Sequence, residues 1–169
     1  YELSDANWII VGKETPTSFT GYEELESKAN LIKYKQSEDY YEIVLDKTPF
    51  YAESGGQIGD MGILSADNFS FKVEDVQNIG DEFIHIGKVE SGSIQDIQTV
   101  DAKINEDRRQ QIRRNHTATH LLHQALKEIL GEHVQQAGSL VAAESLRFDL
   151  THYEQISGSQ IEEIEIRVN

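Results

Sequence analysis

The chain has 169 residues, enough for one domain of ordinary size or two small ones around a real core. Its 30 Asp and Glu against 15 Lys and Arg leave a formal net charge of -15, which argues against broad electrostatic adhesion to nucleic acid or anionic membranes. Cysteine is absent, which removes any disulfide framework, and no apolar run approaches membrane-spanning length.

Residues 1–16 have mixed polarity, with Trp8-Ile9-Ile10-Val11 the only apolar run. They read as a lead-in from a preceding region. The start Tyr1-Glu2-Leu3-Ser4-Asp5 has neither a signal peptide nor an initiator methionine, so the chain is expected to be a piece of a longer polypeptide. Over residues 17–104 the pattern changes to short β-rich runs broken by turn residues. It predicts strands over 19–22, 29–34, 40–45, 61–64, 69–76, 83–86 and 99–104, with a loop or hairpin tip over 88–96. Many short strands favour a small β-barrel over an open sheet. Residues 41–45 open on an apolar–polar–apolar alternation, Tyr41-Glu42-Ile43, and read as a half-buried strand.

Within this barrel lies the stretch Thr48-Pro49-Phe50-Tyr51-Ala52-Glu53-Ser54-Gly55-Gly56-Gln57-Ile58-Gly59-Asp60. Paired glycines permit positive φ and expose backbone N–H groups, so such a loop can approach a ligand or RNA closely; an ordinary tight turn between strands uses the same residues.

From residue 105 a helical pattern takes over. Residues 106–130 form a long amphipathic helix that Gly131 is placed to end. His116 and His120 are four apart, a spacing that sets two imidazoles side by side where they can share one metal ion, and His123 falls near the same line. A zinc protease helix carries glutamate directly after its first histidine, whereas this chain has Thr117. At about 100° per residue, Ala118, Leu121, Leu122, Ala125 and Ile129 share one side, with the histidines roughly opposite. Ile112, Leu126 and Leu130 flank the histidines and predict a narrow polar stripe on a well-buried helix. Arg108, Arg109, Arg113 and Arg114 make a local basic patch on an acidic chain, of the kind an ordinary solvated helix face also carries. Strands follow over 133–140 and 146–150. A final helix opens near Ser159, where Glu162 completes a capping box, and runs through Ile161, Ile164 and Ile166. The fold class is therefore α+β, with a boundary near 104 between a barrel over 17–104 and an α+β unit over 105–169.

The stretch TPFYAESGGQIGD over 48–60 resembles the glycine-rich barrel motif of alanyl-tRNA synthetases, and RNHTATHLL over 114–122 resembles the opening of their editing domain. HVQQAGSLVAAESLRFD over 133–149 is similar to the strand region that follows. Threonyl-tRNA synthetases carry a related module with the same histidine spacing, but the AESGGQ loop ahead of the helix favours the alanyl family. Free-standing trans-editing proteins of the alanyl type share barrel and helix.

The resemblance implies a translation-factor-like β-barrel followed by the first part of an editing (deacylase) domain that removes serine or glycine from tRNA-Ala in the cytoplasm. It implies Zn2+ held by His116 and His120 together with a later Cys-x-x-x-His pair. This chain has no cysteine, so it is expected to hold the ion weakly or not at all. Thr117 and Gln136 are implied beside the substrate amino acid, with Gly55, Gly56 and Gln57 bringing backbone and amide donors. Arg108, Arg109, Arg113 and Arg114 are implied at the acceptor-end phosphates of tRNA-Ala, with no DNA or membrane partner, and His123 is structural. ATP and alanine activation are implied only for a catalytic domain elsewhere in a longer synthetase. The alternatives are a free-standing deacylase and a non-catalytic tRNA-binding module.

Overall fold

The structure, a computed structural model, describes the backbone of residues 7–131, 135–141, 146–151 and 158–168, and the side chains of residues 7–131 and 158–166. Residues 1–6 of the lead-in and His133 lie outside the described residues. The chain divides into two compact units, one of Tyr1–Ser54 with Gly59–Glu106, the other of Gly55–Ile58 with Asp107–Asn169.

The first unit contains β1 (Ile9–Ile10), β2 (Ser18–Phe19), β3 (Glu26–Ser37), β4 (Tyr40–Leu45), β5 (Lys47–Thr48), β6 (Gly62–Ala66), β7 (Phe69–Ile79), β8 (Glu82–Ser91) and β9 (Thr99–Ile104). Pairing runs β3-β4-β8-β7-β6-β9 and returns to β3, so six antiparallel strands close into a barrel without a free edge. The long β3 makes closure possible. Its first half pairs with β9, its second half pairs with β4, and the register shifts between Leu31 and Lys33 where it changes partner.

Side chains projecting inward from alternate positions fill the interior: Val100, Ala102 and Ile104 from β9, Ile43 and Leu45 from β4, Phe71 and Val73 from β7, all in one buried cluster. On β4 the expected half-buried alternation gives way to burial of every residue from Glu42 to Leu45. Val44 joins Ile32, Ile84, Ile86 and Trp8 in a second cluster on the opposite face of those strands. The same wall buries Glu42, whose Oε2 lies 3.0 Å from Lys35 Nζ. The lead-in is thus partly integral to the barrel, since β1 pairs with β3 and Trp8 lies under Lys33 and Lys35, each ammonium within 4.8 Å of the ring.

Two further expectations are corrected. Residues 88–91 are the end of β8, paired with β7 at Lys72↔Lys88 and Phe71↔Val89, not a loop. The run 19–22 is strand only at Phe19; Glu23 and Glu24 both donate backbone N–H bonds to the Thr20 carbonyl, which turns the chain at Gly21 and Tyr22.

The second unit contains α1 (Glu106–Leu130), the antiparallel hairpin of β10 (Gln135–Val141) and β11 (Leu146–Thr151), and α2 (Gly158–Val168). Gly131 donates its N–H to Lys127 O at 3.0 Å and closes α1. The two helices meet through Ala125, Leu126, Leu130 and Ile164. α2 opens at Gly158, so Ser159 stands inside its first turn.

Candidate functional site

The buried residues of α1 are Arg109, Ile112, Thr119, Ala125, Leu126 and Leu130, of which Ile112, Thr119, Leu126 and Leu130 follow a stripe close to a seven-residue repeat. Of the side predicted by hydrophobicity, Ala125 is buried and Leu122 and Ile129 pack against the same cluster, but the stripe is centred about a quarter of the way round the helix, toward Ile112 and Thr119. Leu121, expected inside, is 49% exposed. Thr119 fits the apolar stripe because its hydroxyl donates to the Asn115 carbonyl four residues back, at 2.9 Å. The helix is consequently not buried all round. Arg113, His116, Thr117, His120, Leu121 and Gln124 form a broad exposed face.

On that face the His116 and His120 rings have centroids 4.6 Å apart, at 80° to one another. Two adjacent imidazoles supply two nitrogen donors, whereas a catalytic zinc takes three protein ligands and a closed structural one four. Among the described residues no group of three or more His, Cys, Asp or Glu gathers as a metal site. The pair fits zinc as half a ligand set. His123 is half-buried, at the margin of that face.

The four arginines separate by environment. Arg113 and Arg114 are exposed, Arg108 is half-buried and Arg109 is buried at 6% exposure, so Arg109 does not present its guanidinium to solvent phosphates. Gln136 lies on β10 where the register shifts between Gln136 and Gly138. Bulges of this kind re-aim a side chain and recur beside active sites; the Gln136 side chain itself lies outside the described ones.

The glycine loop is a tight turn on a pinned stem. Gly55 and Gly56 have φ of 58° and 81°, the paired left-handed values of a type I′ turn, which an L side chain resists. Tyr51 N–H donates to the Asp60 carboxylate at 2.8 Å, and Asp60 N–H returns a bond to the Tyr51 carbonyl at 2.9 Å. Glu53 N–H reaches Val76 O on β7, also at 2.9 Å. Gly55, Gly56 and Gln57 belong to the same compact unit as His116, Thr117, His120, Gln136 and the arginines.

At the root of this loop sits a residue that no sequence motif singles out. His85 on β8 is fully buried, with Nδ1 at 2.9 Å from the Ile43 carbonyl and Nε2 at 2.8 Å from Thr48 Oγ1. A carbonyl only accepts, so Nδ1 carries the proton and Thr48 donates to Nε2. Phe50 N–H in turn donates to Thr48 Oγ1 at 3.1 Å. Burial lowers the His85 pKa to about 4, against the opposing pull of the Ile43 carbonyl. The only signal in sequence is a polar ring among Phe83, Ile84 and Ile86.

Residues 5–108 match the family described as tRNA synthetases class II (A). An alanine–tRNA ligase of Thermoanaerobacter sp. (strain X514) is 51% identical over 162 residues, covering 90% of this chain and 18% of that protein. The alanine–tRNA ligase of Fusobacterium nucleatum is 51% identical over 154 residues, again 90% and 18%. That of Chlorobaculum tepidum is 42% identical over 174 residues, 96% of this chain and 20% of the relative. The chain thus spans about a fifth of the length of the curated relatives it matches.

Proposed function

Because the chain belongs to the class II tRNA synthetase family, with alanine–tRNA ligases matching most of its length, we propose that it serves the editing reaction of such a ligase. The reaction is hydrolysis of the ester in Ser-tRNA-Ala and Gly-tRNA-Ala. ATP-dependent ligation of alanine, in this reading, is the work of the rest of a ligase. Editing is needed because a pocket for alanine cannot exclude the smaller glycine and rejects serine by only one hydroxyl.

The observation that carries the proposal is the adjacent, solvent-facing pair His116 and His120, with Thr117 on the same exposed face. These histidines would hold a zinc ion, completed by ligands other than those described. When bound, zinc polarises the ester carbonyl or orients the attacking water. Thr117 offers a hydroxyl that accepts from the ammonium of a misattached amino acid or donates to the serine side chain. Gln136, beside the register shift of β10, would supply an amide for the same amino acid, and the Gly55–Gly56 turn would add backbone N–H donors. Arg113 and Arg114 are the exposed arginines that meet acceptor-end phosphates, with Arg108 beside them.

The test is a graft of this chain in place of the matching segment of the Thermoanaerobacter ligase. We expect Ser-tRNA-Ala to be hydrolysed faster than Ala-tRNA-Ala, and Thr117→Val or Gln136→Ala to cut that preference roughly tenfold, the cost of one lost hydrogen bond at a desolvated site. Equal rates on both esters, untouched by either substitution, would instead favour a non-catalytic tRNA-binding module. The half set of metal ligands is the observation on that side.

A further inference from the structure

Beside the glycine loop the barrel surface holds a cleft of about 420 Å3, lined by Phe19, Tyr22, Tyr51 and Phe83 with Glu53 and Asn78 at its polar side. Its size falls in the ~300–1,000 Å3 range of small-ligand pockets. None of the lining residues is a candidate for the hydrolytic site. A single exposed tyrosine needs no explanation, but four aromatic rings around one cleft do.

The rings are held in place. Phe19 stacks on Phe83 with centroids 5.8 Å apart and meets Tyr22 and Tyr51 edge-on at 5.1 and 6.3 Å. Gly21 lies directly beneath Phe19: a Cβ there would fall 2.5 Å from the Phe19 ring and 2.4 Å from Pro49 O. The turn bearing Tyr22 is fixed at Thr20, whose N–H donates to Thr48 O at 2.9 Å. Tyr22 is nevertheless 81% exposed, so it offers an open face on a rigid support.

The charge of the lining narrows the ligand. The only charged side chain lining the cleft is Glu53, an anion, so a phosphate is repelled. A cation cage needs several ring faces turned to one point, whereas here Phe19 occupies the centre and its neighbours spend edges or faces on it. What remains is a flat, uncharged ring system with hydrogen-bonding edges. The Glu53 carboxylate is oriented by a bond from Gln77 Nε2 to Oε2 at 2.9 Å, and it accepts an exocyclic amine, while the Asn78 amide both donates and accepts.

We infer that this cleft takes one unstacked, amino-bearing nucleobase from the single-stranded end of the RNA substrate, with Tyr22 as the stacking platform. The inference rests on the tRNA reading above but not on hydrolysis. A base held here fixes the path of the strand across the barrel while its phosphates stay outside the acidic cleft.

The test uses the whole chain and a fluorescent RNA hairpin carrying four unpaired 3′ nucleotides that end in adenosine, against the same hairpin with a blunt end. The overhang should bind more tightly than the blunt form. Tyr22→Ala, at a solvent-exposed position that does not threaten folding, should weaken overhang binding by roughly tenfold, and Asn78→Ala should also weaken it. Tyrosine ring NMR signals should move upfield on titration with adenosine monophosphate. Equal binding of both hairpins, no binding of either, or insensitivity to Tyr22→Ala and Asn78→Ala together overturns the inference. So do ring signals that respond to tetramethylammonium and not to the nucleotide. Loss of ester hydrolysis in the grafted ligase with Tyr22-dependent binding intact defeats only the hydrolytic reading; the reverse pattern defeats only this one.

Discussion

His85 stands at the root of the glycine loop, and its burial has a consequence for stability. Its folded pKa of about 4 lies below the ordinary 6.5, so the unfolded chain takes up a proton at a pH where the folded chain does not. The stabilisation is complete above pH 6.5 and is lost as pH falls toward 4, by roughly 3 kcal/mol in all. Urea unfolding at pH 7.5, 6 and 5 should show that decline, and His85→Gln should flatten it between pH 6.5 and 5, above the range where most carboxylates titrate. An unchanged slope in the variant would contradict the assignment. The residue was not legible in the sequence because its partners Ile43 and Thr48 are 42 and 37 positions away, and only barrel closure brings them together. His116 and His120 were legible because helical geometry alone makes neighbours of residues four apart.

Among the elements, strands with one wet face were easiest to read. The β-rich run at 99–104 predicts a strand, and the structure gives Thr99–Ile104 with Val100, Ala102 and Ile104 buried. β4 is located equally well, but its burial is not, because Trp8 and the β8 isoleucines cover the face of Glu42 and Val44 that a half-buried strand would turn to water. Helix α1 shows the same limit. Its bounds follow from local signals, whereas the buried side depends on what packs there, and Thr119 rather than Leu121 occupies it. Leu121→Ala should therefore change stability by no more than about 0.5 kcal/mol. Ile112→Ala, at 1% exposure, should cost about 2–5 kcal/mol. Thermal unfolding of the two variants separates this packing from the one predicted by hydrophobicity, which would have made Leu121 the costly loss.

At the scale of the molecule, a net charge of -15 coexists with a proposed RNA substrate because the contacts are local: arginines on the exposed side of α1 and uncharged rings on the barrel. In the proposed function His116 and His120 form half of a metal cradle serving ester hydrolysis on mischarged tRNA. The most direct measurement is the rate of Ser-tRNA-Ala hydrolysis by the grafted ligase with both histidines changed to alanine, together with its bound zinc. Loss of the ion and a fall in rate of at least about a hundredfold are expected, with alanine ligation retained. A doubly substituted ligase that keeps both its zinc and its hydrolysis rate would contradict it.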